Sequence, residues 1–98
     1  MTTSLRGELL KRGGEIRAVA RRNLAARPRL YGSVARGDDN PESDIDILVD
    51  PEPGCSLLDL AGMESELEDI FGRRVEVRTI KDLHFKMRPS ALADALPL

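Results

Sequence analysis

The amino-acid sequence predicts a small α/β domain, in which helices alternate with the strands of one sheet. Two short segments carry the alternating apolar pattern of half-buried strands, Asp44 to Val49 and Val75 to Thr79. Between them, Ser56 to Phe71 repeats apolar side chains at helical spacing, and Gly72 follows as a helix-ending residue. With the remaining segments, the expected order of elements is α, β, short α, β, α, β, α.

The amino-terminal segment predicts a helix from Ser4 to about Ala26. Gly13 and Gly14 interrupt this helix, and each weakens it by about 1 kcal/mol relative to alanine. Pro28 is expected to end the segment, because proline cannot continue a helix. The apolar stripe of this helix consists of Leu5, Leu9, Ile16, Val19, Ala20 and Leu24.

The other predicted elements are short, and the stripe of the long central helix is Leu57, Leu60, Met63 or Leu67, and Ile70. We expect a strand over Arg29 to Tyr31, a helix over Val34 to Arg36 that Ser33 caps and Gly37 ends, and a closing helix over Ser90 to Leu96. The segment from Leu83 to Met87 has no clear pattern.

The composition excludes several classes of protein. The 98 residues include 33% charged side chains but carry a net charge of only −2, so we expect no direct binding of nucleic acid. One cysteine, Cys55, and one histidine, His84, exclude an internal disulfide and a zinc site built from Cys and His. We find neither an apolar run of transmembrane length nor a signal peptide, and expect a soluble cytoplasmic protein that binds no membrane.

Two aspartates stand inside the clearest strand, in the segment DIDILV. Side chains two apart on a strand share a face, so Asp44 and Asp46 lie on one side while Ile45 and Ile47 lie on the other. Two carboxylates held this close repel each other, and their desolvation is costly unless a cation lies between them. Because the site offers only oxygen ligands, Mg²⁺ is the ion that we expect.

A Gly-Ser turn precedes these aspartates by ten residues. Gly32 permits close approach of the backbone, and the Ser33 hydroxyl together with the amides at the start of the short helix forms an anion-binding end. A phosphate-binding turn next to a metal-binding acidic pair indicates a site for a metal-bound nucleoside triphosphate.

A third carboxylate, Glu76, lies in the segment RRVEVRT. It alternates with Val75 and Val77 and therefore projects from the opposite face of its strand. If this strand lies beside the strand of Asp44 and Asp46 in register, Glu76 joins the acidic pair. Three carboxylates around two metal ions suit in-line transfer of a phosphoryl or nucleotidyl group. The alternative is a solvated side chain on a half-exposed strand.

The stretch GSVARGDDNPESDIDILVD resembles the signature of the polymerase-β-like nucleotidyltransferase superfamily, in which Gly-Ser is followed after ten residues by Asp-x-Asp. It is most similar to the smallest members, the minimal nucleotidyltransferase domains of prokaryotes. The downstream segment GCSLLDLAGMESELEDIFGRRVEVRTI and the closing LADALPL follow the pattern of the same domains. The resemblance covers most of the chain and implies a single domain over residues 1–98.

This resemblance implies a small mixed sheet of three to four strands backed by helices. It implies that Gly32 and Ser33 hold the triphosphate of ATP, and that Asp44 and Asp46, with Glu76, are catalytic and bind two Mg²⁺ ions. The family usually has Asp where Glu76 stands, and Glu is longer by one methylene group. Mg²⁺ demands a regular coordination geometry. The presence of Glu instead of Asp at position 76 therefore affects catalysis more than any other property that the resemblance implies.

Minimal domains of this kind are often encoded beside HEPN-domain ribonuclease toxins. The resemblance therefore implies an antitoxin that transfers AMP from ATP to the hydroxyl group of a tyrosine in the toxin. A second possibility is a catalytically weak antitoxin that binds nucleotide and neutralises the toxin by covering it. A third is transfer to a small molecule or an RNA end, which the lack of an acceptor-binding domain argues against.

Several further residues have alternative roles. Arg36 either contacts a nucleotide phosphate or pairs with an Asp, Ser43 either caps the turn before Asp44 or contacts substrate, and Tyr31 packs. The basic cluster is either the solvated side of a helix or a surface for an acidic partner. Its members are Arg17, Arg21, Arg22, Arg27 and Arg29, and we expect solvated side chains at Asp38, Asp39, Glu42 and His84.

Overall fold

The computed structural model describes residues 4–98, and the predicted α/β class is confirmed. Helices and strands alternate along these residues, as expected. In chain order they are α1 (Leu5–Lys11), α2 (Gly13–Arg22), β1 (Ala25–Tyr31), α3 (Gly32–Arg36), β2 (Ile45–Pro51), α4 (Leu57–Phe71), β3 (Val75–Arg78), a 3₁₀ turn (Ile80–Asp82), α5 (Arg88–Asp94) and β4 (Leu96–Pro97).

The four strands form one mixed sheet in the order β3-β2-β1-β4. Strand β1 pairs antiparallel with both β2 and β4, whereas β2 and β3 are parallel and are connected through helix α4. A parallel pair requires a crossover of this kind, which places the connecting helix on one face of the sheet. The expected small mixed sheet backed by helices is confirmed.

The two faces of this sheet bury different side chains. One face packs against α2 and α4 and forms the main core. On the other face, a smaller cluster joins Tyr31 and Leu48 to Leu83 and Ala91. This second face is only partly covered, and half-buried charged residues of β2 and β3 remain on it. The main core includes Leu30, Ile45, Ile47, Val49, Val75 and Val77 from the sheet and Ile16, Val19, Leu60, Met63 and Leu67 from the helices.

Helix α4 begins and ends where its sequence predicts. Ser56 caps its amino terminus in a capping box with Asp59, and Gly72 follows its last residue with a φ of 65°. The buried stripe is Leu60, Met63 and Leu67, whereas Leu57 is 78% exposed. The prediction that Leu57 joins the stripe is wrong, because Leu57 is the first helical residue and lies about one turn before the first core contact.

Two glutamates of α4 contact the edge of β3. The Glu68 carboxylate accepts a hydrogen bond from the Val75 amide at 3.1 Å, and the Glu64 carboxylate accepts one from the Val77 amide at 2.8 Å. Within residues 4–98, β3 pairs only with β2, so side chains rather than a further strand satisfy these two amides.

The amino-terminal helix is divided, and one of its glycines has a packing role. Helices α1 and α2 meet at Arg12, and the predicted continuation to Ala26 is wrong because α2 ends at Arg22. Gly13 is buried at the start of α2, where a Cβ atom would lie 2.9 Å from the backbone carbonyl carbon of Leu98. Glycine at this position therefore admits the carboxy-terminal segment.

Strand β1 is longer than predicted and begins at Ala25 instead of Arg29. Pro28 does not end the segment, because it lies at an irregularity in the β1–β2 pairing between Ala26 and Arg29. A bulge tolerates proline, since a residue without an N–H costs no ladder hydrogen bond there. The Pro28 carbonyl instead accepts a hydrogen bond from the Leu98 amide at 3.0 Å.

The closing helix is also shifted. Helix α5 begins at Arg88 and ends at Asp94, and its predicted extension to Leu96 is wrong because Leu96 and Pro97 pair with β1 as strand β4. The segment without a clear pattern, Leu83 to Met87, forms turns before α5. A strand of two residues has no periodicity of its own, so only its pairing with β1 defines it.

The helices are short. The longest, α4, has 15 residues. Among residues 4–98, no helix has both the length and the apolar content that crossing a bilayer requires. The predicted cytoplasmic location stays a prediction.

We expect Gly13→Ala and Gly14→Ala to change stability in opposite directions. A Cβ at Gly13 collides with the Leu98 backbone, whereas the nearest atom at Gly14 is a nitrogen of the Arg17 side chain at 3.6 Å, an ordinary contact. Because alanine favours a helix over glycine by up to about 1 kcal/mol, Gly14→Ala should stabilise, and Gly13→Ala should destabilise by about 1 kcal/mol or more. Urea unfolding measures both changes. Equal stabilisation by the two variants would show that the carboxy-terminal segment does not pack on α2.

Candidate active site

Asp46 lies at the centre of the candidate site, on the middle one of three adjacent strands. Its Cα pairs with that of Tyr31 on β1 and with that of Glu76 on β3. Directly paired residues project their side chains from the same face of a sheet, so Asp46 and Glu76 lie side by side. The register that the prediction for Glu76 required is therefore present.

These side chains line a pocket of about 550 Å³ on the partly covered face of the sheet. Asp44 directly precedes β2 and also lines the pocket, as does Ser33 from the start of α3. Three carboxylates and one hydroxyl that the sequence singled out thus converge on one space. The other lining residues are Tyr31, Ser43, Arg78, Asp82, Leu83, His84 and Met87.

Gly32 approaches Asp46 more closely than any other type of residue could. Its φ is +76°, in the left-handed region, and a Cβ atom there would lie 2.6 Å from Oδ2 of Asp46. Both the backbone conformation and the short approach therefore require glycine. The close approach predicted at Gly32 is therefore an approach to the Asp46 carboxylate of the same chain.

The site is electrostatically unfavourable for Asp46. Burial, followed by the negative charges of Glu76 and Asp44, raises the pKa of Asp46 to about 6. The neighbouring Tyr31 has a pKa raised to about 12, first by burial and then by the charge of Asp46, so its hydroxyl is neutral at physiological pH. The pocket therefore holds more negative charge than the surrounding protein compensates.

Two arginines lie beside this acidic group without neutralising it. A guanidinium nitrogen of Arg74 is 3.9 Å from Asp44 and another is 3.9 Å from Glu76, and Arg78 is 3.6 Å from Glu76. Long, solvent-exposed ion pairs of this kind contribute little. Within residues 4–98, none of the ion pairs reaches Asp46.

The donor set fits a magnesium ion. All three carboxylates supply oxygen, the ligand type that Mg²⁺ prefers, and the uncompensated negative charge favours a cation. In the described part of the chain, no three Asp, Glu, His or Cys side chains form a ready-made metal cage. This agrees with the usual behaviour of Mg²⁺, which keeps waters and substrate phosphates among its ligands. Asp44 and Asp46 would hold the ion, with Glu76 beside them.

Ser33 and Arg36 are the two residues predicted to bind phosphate together with Gly32. Ser33 lines the pocket, whereas Arg36 does not. Helix α3 begins at Gly32, so Ser33 lies within its first turn, and the prediction that Ser33 caps this helix is wrong. Arg36 does not line the pocket, because its guanidinium donates hydrogen bonds to Asp38 at 3.1 Å and to Asp94 at 2.7 Å. Of the two roles open for Arg36, pairing with Asp is the one that the structure contains.

Arg78 and the pocket residues between Asp82 and Met87 were not assigned to the site from the sequence. Arg78 had a usable signal, since it stands two residues after Glu76 on β3 and projects from the same face. Asp82 and Met87 had none, because the path of their segment depends on the packing of Leu83 with the sheet. His84 is exposed, as predicted, but it also lines the pocket.

Residues 15–98 match the profile of one protein family, described as the nucleotidyltransferase domain. The match includes every residue that lines the pocket. The chain belongs to this family. The prediction of a nucleotidyltransferase enzyme is thereby confirmed.

Curated relatives of this nucleotidyltransferase domain are archaeal. A candidate protein adenylyltransferase of Methanocaldococcus jannaschii is 40% identical over 70 residues, which are 71% of this chain and 75% of the relative. The protein adenylyltransferase MntA of Thermococcus cleftensis is 44% identical over 48 residues. The second alignment covers 49% of this chain and 48% of MntA, so it spans about half the length of that protein.

Solved structures share the fold of this nucleotidyltransferase domain. The structure of a candidate minimal nucleotidyltransferase superposes with a TM-score of 0.83 and 36% identity, and covers 95% of each chain. A crystal structure of a toxin-antitoxin with AMP-PNP superposes with a TM-score of 0.72, covering 87% of this chain and 70% of that one. At 17% identity the second likeness shows a common fold. The expected fold of the minimal nucleotidyltransferases is confirmed.

We expect Gly32→Ala to impair both stability and nucleotide binding, and Gly54→Ala serves as its matched control. Both glycines have a positive φ, but a Cβ at Gly54 meets no atom within 4 Å, whereas one at Gly32 collides with Asp46. Each variant should lose about 1 kcal/mol of stability through backbone strain. Only Gly32→Ala should lose more, and it should weaken Mg–ATP binding by about tenfold or more. Calorimetry on both variants checks this, and equal affinities would show that the contact between Gly32 and Asp46 does not affect nucleotide binding.

We expect Asp46→Asn to stabilise the metal-free nucleotidyltransferase at neutral pH. The folded-state pKa of Asp46 is raised, so the charged carboxylate opposes folding above that pKa, and this penalty disappears as the pH falls below the unfolded value of 3.8. Because the carboxylate is partly exposed to water, we expect a gain of about 1 kcal/mol at pH 7.5.

Urea unfolding in EDTA at pH 7.5 and pH 4.5 measures this gain. It should shrink at the lower pH, where the wild-type carboxylate is mostly protonated. An unchanged difference between Asp46→Asn and wild type at the two pH values would contradict this account of Asp46.

Proposed function

We propose that this nucleotidyltransferase transfers AMP from ATP to a hydroxyl group of a partner protein, a HEPN-family ribonuclease toxin, and thereby acts as its antitoxin. The observation that carries the proposal is the convergence of Asp44, Asp46, Glu76 and the Gly32–Ser33 turn on one pocket. An acidic group next to a hydroxyl and to the start of a helix suits a triphosphate bound together with a cation.

In this proposal the three predicted carboxylates, Ser33 and Arg78 each have a defined task. Asp44 and Asp46, with Glu76, hold two Mg²⁺ ions, which when bound offset the charge of the triphosphate and lower the pKa of the attacking hydroxyl. Ser33 and the amides after Gly32 bind the departing pyrophosphate. Arg78, beside Glu76, is placed to contact a phosphate oxygen as well.

The transfer forms one bond and breaks another. The acceptor oxygen bonds to the α-phosphorus of ATP, the bond between this phosphorus and the β-phosphate oxygen breaks, and pyrophosphate leaves. Glu76 is the group that we propose to accept the proton of the attacking hydroxyl. Its position beside Asp46 in the β2–β3 register places it next to the proposed metal ligands.

The acceptor and the nucleotide are proposed from relatives. The relatives in Methanocaldococcus jannaschii and Thermococcus cleftensis are named as protein adenylyltransferases, which supports ATP as the donor and a protein as the acceptor. A structure of the same fold is a toxin-antitoxin crystallised with AMP-PNP. The resemblance of the Gly-Ser and Asp-x-Asp motifs to minimal domains paired with HEPN toxins supports a toxin tyrosine as the acceptor.

A second candidate function is neutralisation of the toxin by binding alone. It is favoured by Glu76, which is longer than the Asp that the family usually has, and by the arginines that lie near it. Arg74 and Arg78 are 3.9 Å and 3.6 Å from the Glu76 carboxylate and compete with a metal for it. In that case the domain would bind nucleotide but transfer AMP slowly.

An assay with ATP labelled on the α-phosphate separates the two functions. The nucleotidyltransferase, Mg²⁺ and the protein encoded by the adjacent reading frame are incubated together, and label on the partner is counted. We expect label with the wild type and none with Asp44→Asn/Asp46→Asn, because that variant cannot hold the metal. Protection from the toxin by this double variant, without any label transferred by the wild type, would support neutralisation by binding.

Variants of Glu76 test its proposed role. Glu76→Ala should lower the rate of AMP transfer by at least about tenfold, while Glu76→Asp, which restores the usual family residue, should retain most of the rate. Glu42→Ala is the matched control, since Glu42 is exposed and does not line the pocket. An unchanged rate in Glu76→Ala would exclude Glu76 from the mechanism.

A further inference from the structure

A second, larger cleft lies at the other end of strand β1. It has a volume of about 850 Å³ and includes the residues at the start of β1, whereas the active-site pocket adjoins its end. The two linings share no residue, because on β1 the cleft includes residues 25–29 whereas the active-site pocket includes Tyr31. Four arginines line the cleft, and we call it the basic cleft: Arg17, Arg21, Arg27 and Arg29.

The floor of the basic cleft is apolar. Leu24 and Leu92 line it and are 41% and 54% exposed. Pro97 and Leu98 belong to the same lining. Exposed leucines surrounded by arginines are typical of a surface that buries apolar side chains of a partner.

The positive charge of the cleft is only partly compensated. Arg27 and Arg29 both pair with the Asp50 carboxylate, and this keeps the pKa of Asp50 below its usual range although burial opposes it. Within residues 4–98, Arg17 and Arg21 form no ion pair. One further carboxylate, that of Glu52, lines the cleft. Two arginines thus remain available to carboxylates of another molecule.

The backbone of the cleft is strained. Leu24 and Arg27 have φ values of 58° and 49°, and among residues 4–98 they are the non-glycine residues with positive φ. Both line the basic cleft. A hydrogen bond from the Glu52 amide to the Leu24 carbonyl, at 2.8 Å, holds this turn in place. Backbone strain of this kind concentrates at functional sites, where the surrounding structure maintains it.

The lining of the cleft favours protein over nucleic acid as its ligand. Single-stranded nucleic acid is bound by aromatic side chains that stack on bases, and none of the residues among 4–98 that line this cleft is aromatic. The net charge of −2 also gives little attraction to a duplex. Arginines around aliphatic side chains instead match a protein segment in which acidic and apolar residues alternate.

We propose that the basic cleft docks an acidic, apolar segment of the partner protein that carries the acceptor hydroxyl. The inference rests on the proposed function, because it concerns the protein acceptor of the same reaction. Because the cleft and the active-site pocket share no lining residue, docking in the cleft leaves the pocket open to ATP and to the acceptor side chain. Recognition of the partner and transfer of AMP are then separate tasks of the two ends of β1.

The test compares charge reversals inside and outside the cleft. Arg17→Glu/Arg21→Glu removes the two unpaired arginines, and Lys11→Glu/Lys81→Glu makes the same change of charge at two exposed positions outside the cleft. Both pairs are introduced into the Asp44→Asn/Asp46→Asn background, so that transfer cannot affect binding. Affinity for the protein of the adjacent reading frame is then measured by calorimetry.

We expect the cleft variant to bind this partner at least about tenfold more weakly, and the control pair to bind within a few-fold of its parent. Leu92→Ser should weaken binding as well, whereas Leu58→Ser, at a leucine that is 83% exposed outside the cleft, should not. Circular dichroism confirms folding. In the background with an intact active site, Mg–ATP affinity should be the same in all variants.

Two results would overturn the docking site and leave the proposed function in place. One is undiminished partner binding by Arg17→Glu/Arg21→Glu while the wild type still transfers AMP. The other is that Arg17→Glu/Arg21→Glu loses affinity for a single-stranded RNA or for anionic phospholipid vesicles but binds the partner as tightly as its parent does. Absence of AMP transfer by the wild type, with partner binding that still depends on the two arginines, would instead refute the enzymatic function and retain the docking site.

Discussion

The close approach of Gly32 to Asp46 is the contact on which the site depends. The residue that follows strand β1 must lack a side chain, because a Cβ atom at Gly32 would occupy space that Oδ2 of Asp46 already fills. The antiparallel register between β1 and β2 brings the turn to this carboxylate, and the parallel register between β2 and β3 adds Glu76. The Gly32–Ser33 turn and the acidic group are thereby held together by the backbone pairing of three strands.

This arrangement opposes the stability of the domain. A half-buried Asp46 next to two further carboxylates raises the free energy of the folded state when no cation is bound. The aliphatic core on the opposite face of the same strands compensates, since Ile45, Ile47 and Val49 alternate with the residues of the site. One strand thus supplies both the stabilising and the destabilising groups, and the two-residue period of a strand keeps them apart. Conflict between local stability and function is expected at an active site.

The parts of the fold that could be predicted are those with strong local signals. Helix α4 has a capping box at one end, glycine at the other and an apolar stripe between them, and β2 and β3 alternate clearly. Strand β1 was predicted too short, because the bulge at Pro28 depends on how β1 pairs with β2 and has no local sequence signal. Strand β4 was missed, because two residues are too few to show an alternating pattern. Asp44, Asp46, Glu76 and Ser33 were identified from their spacing in the sequence. His84 and Asp82 were not placed in the pocket, because their segment is positioned by packing of Leu83 and not by any pattern of its own.

The hydrogen bonding at the two edges of the sheet affects how this domain associates with other proteins. At one edge, carboxylates of Glu64 and Glu68 occupy the outward amides of β3. At the other, β4 has only two residues, one of which is Pro97 and lacks an N–H. An intruding strand would find few backbone donors at either margin, so β-augmentation and cross-β aggregation are both disfavoured. Complexes of this domain should therefore be held by side-chain contacts, which leaves the sheet unaltered when a companion binds or dissociates.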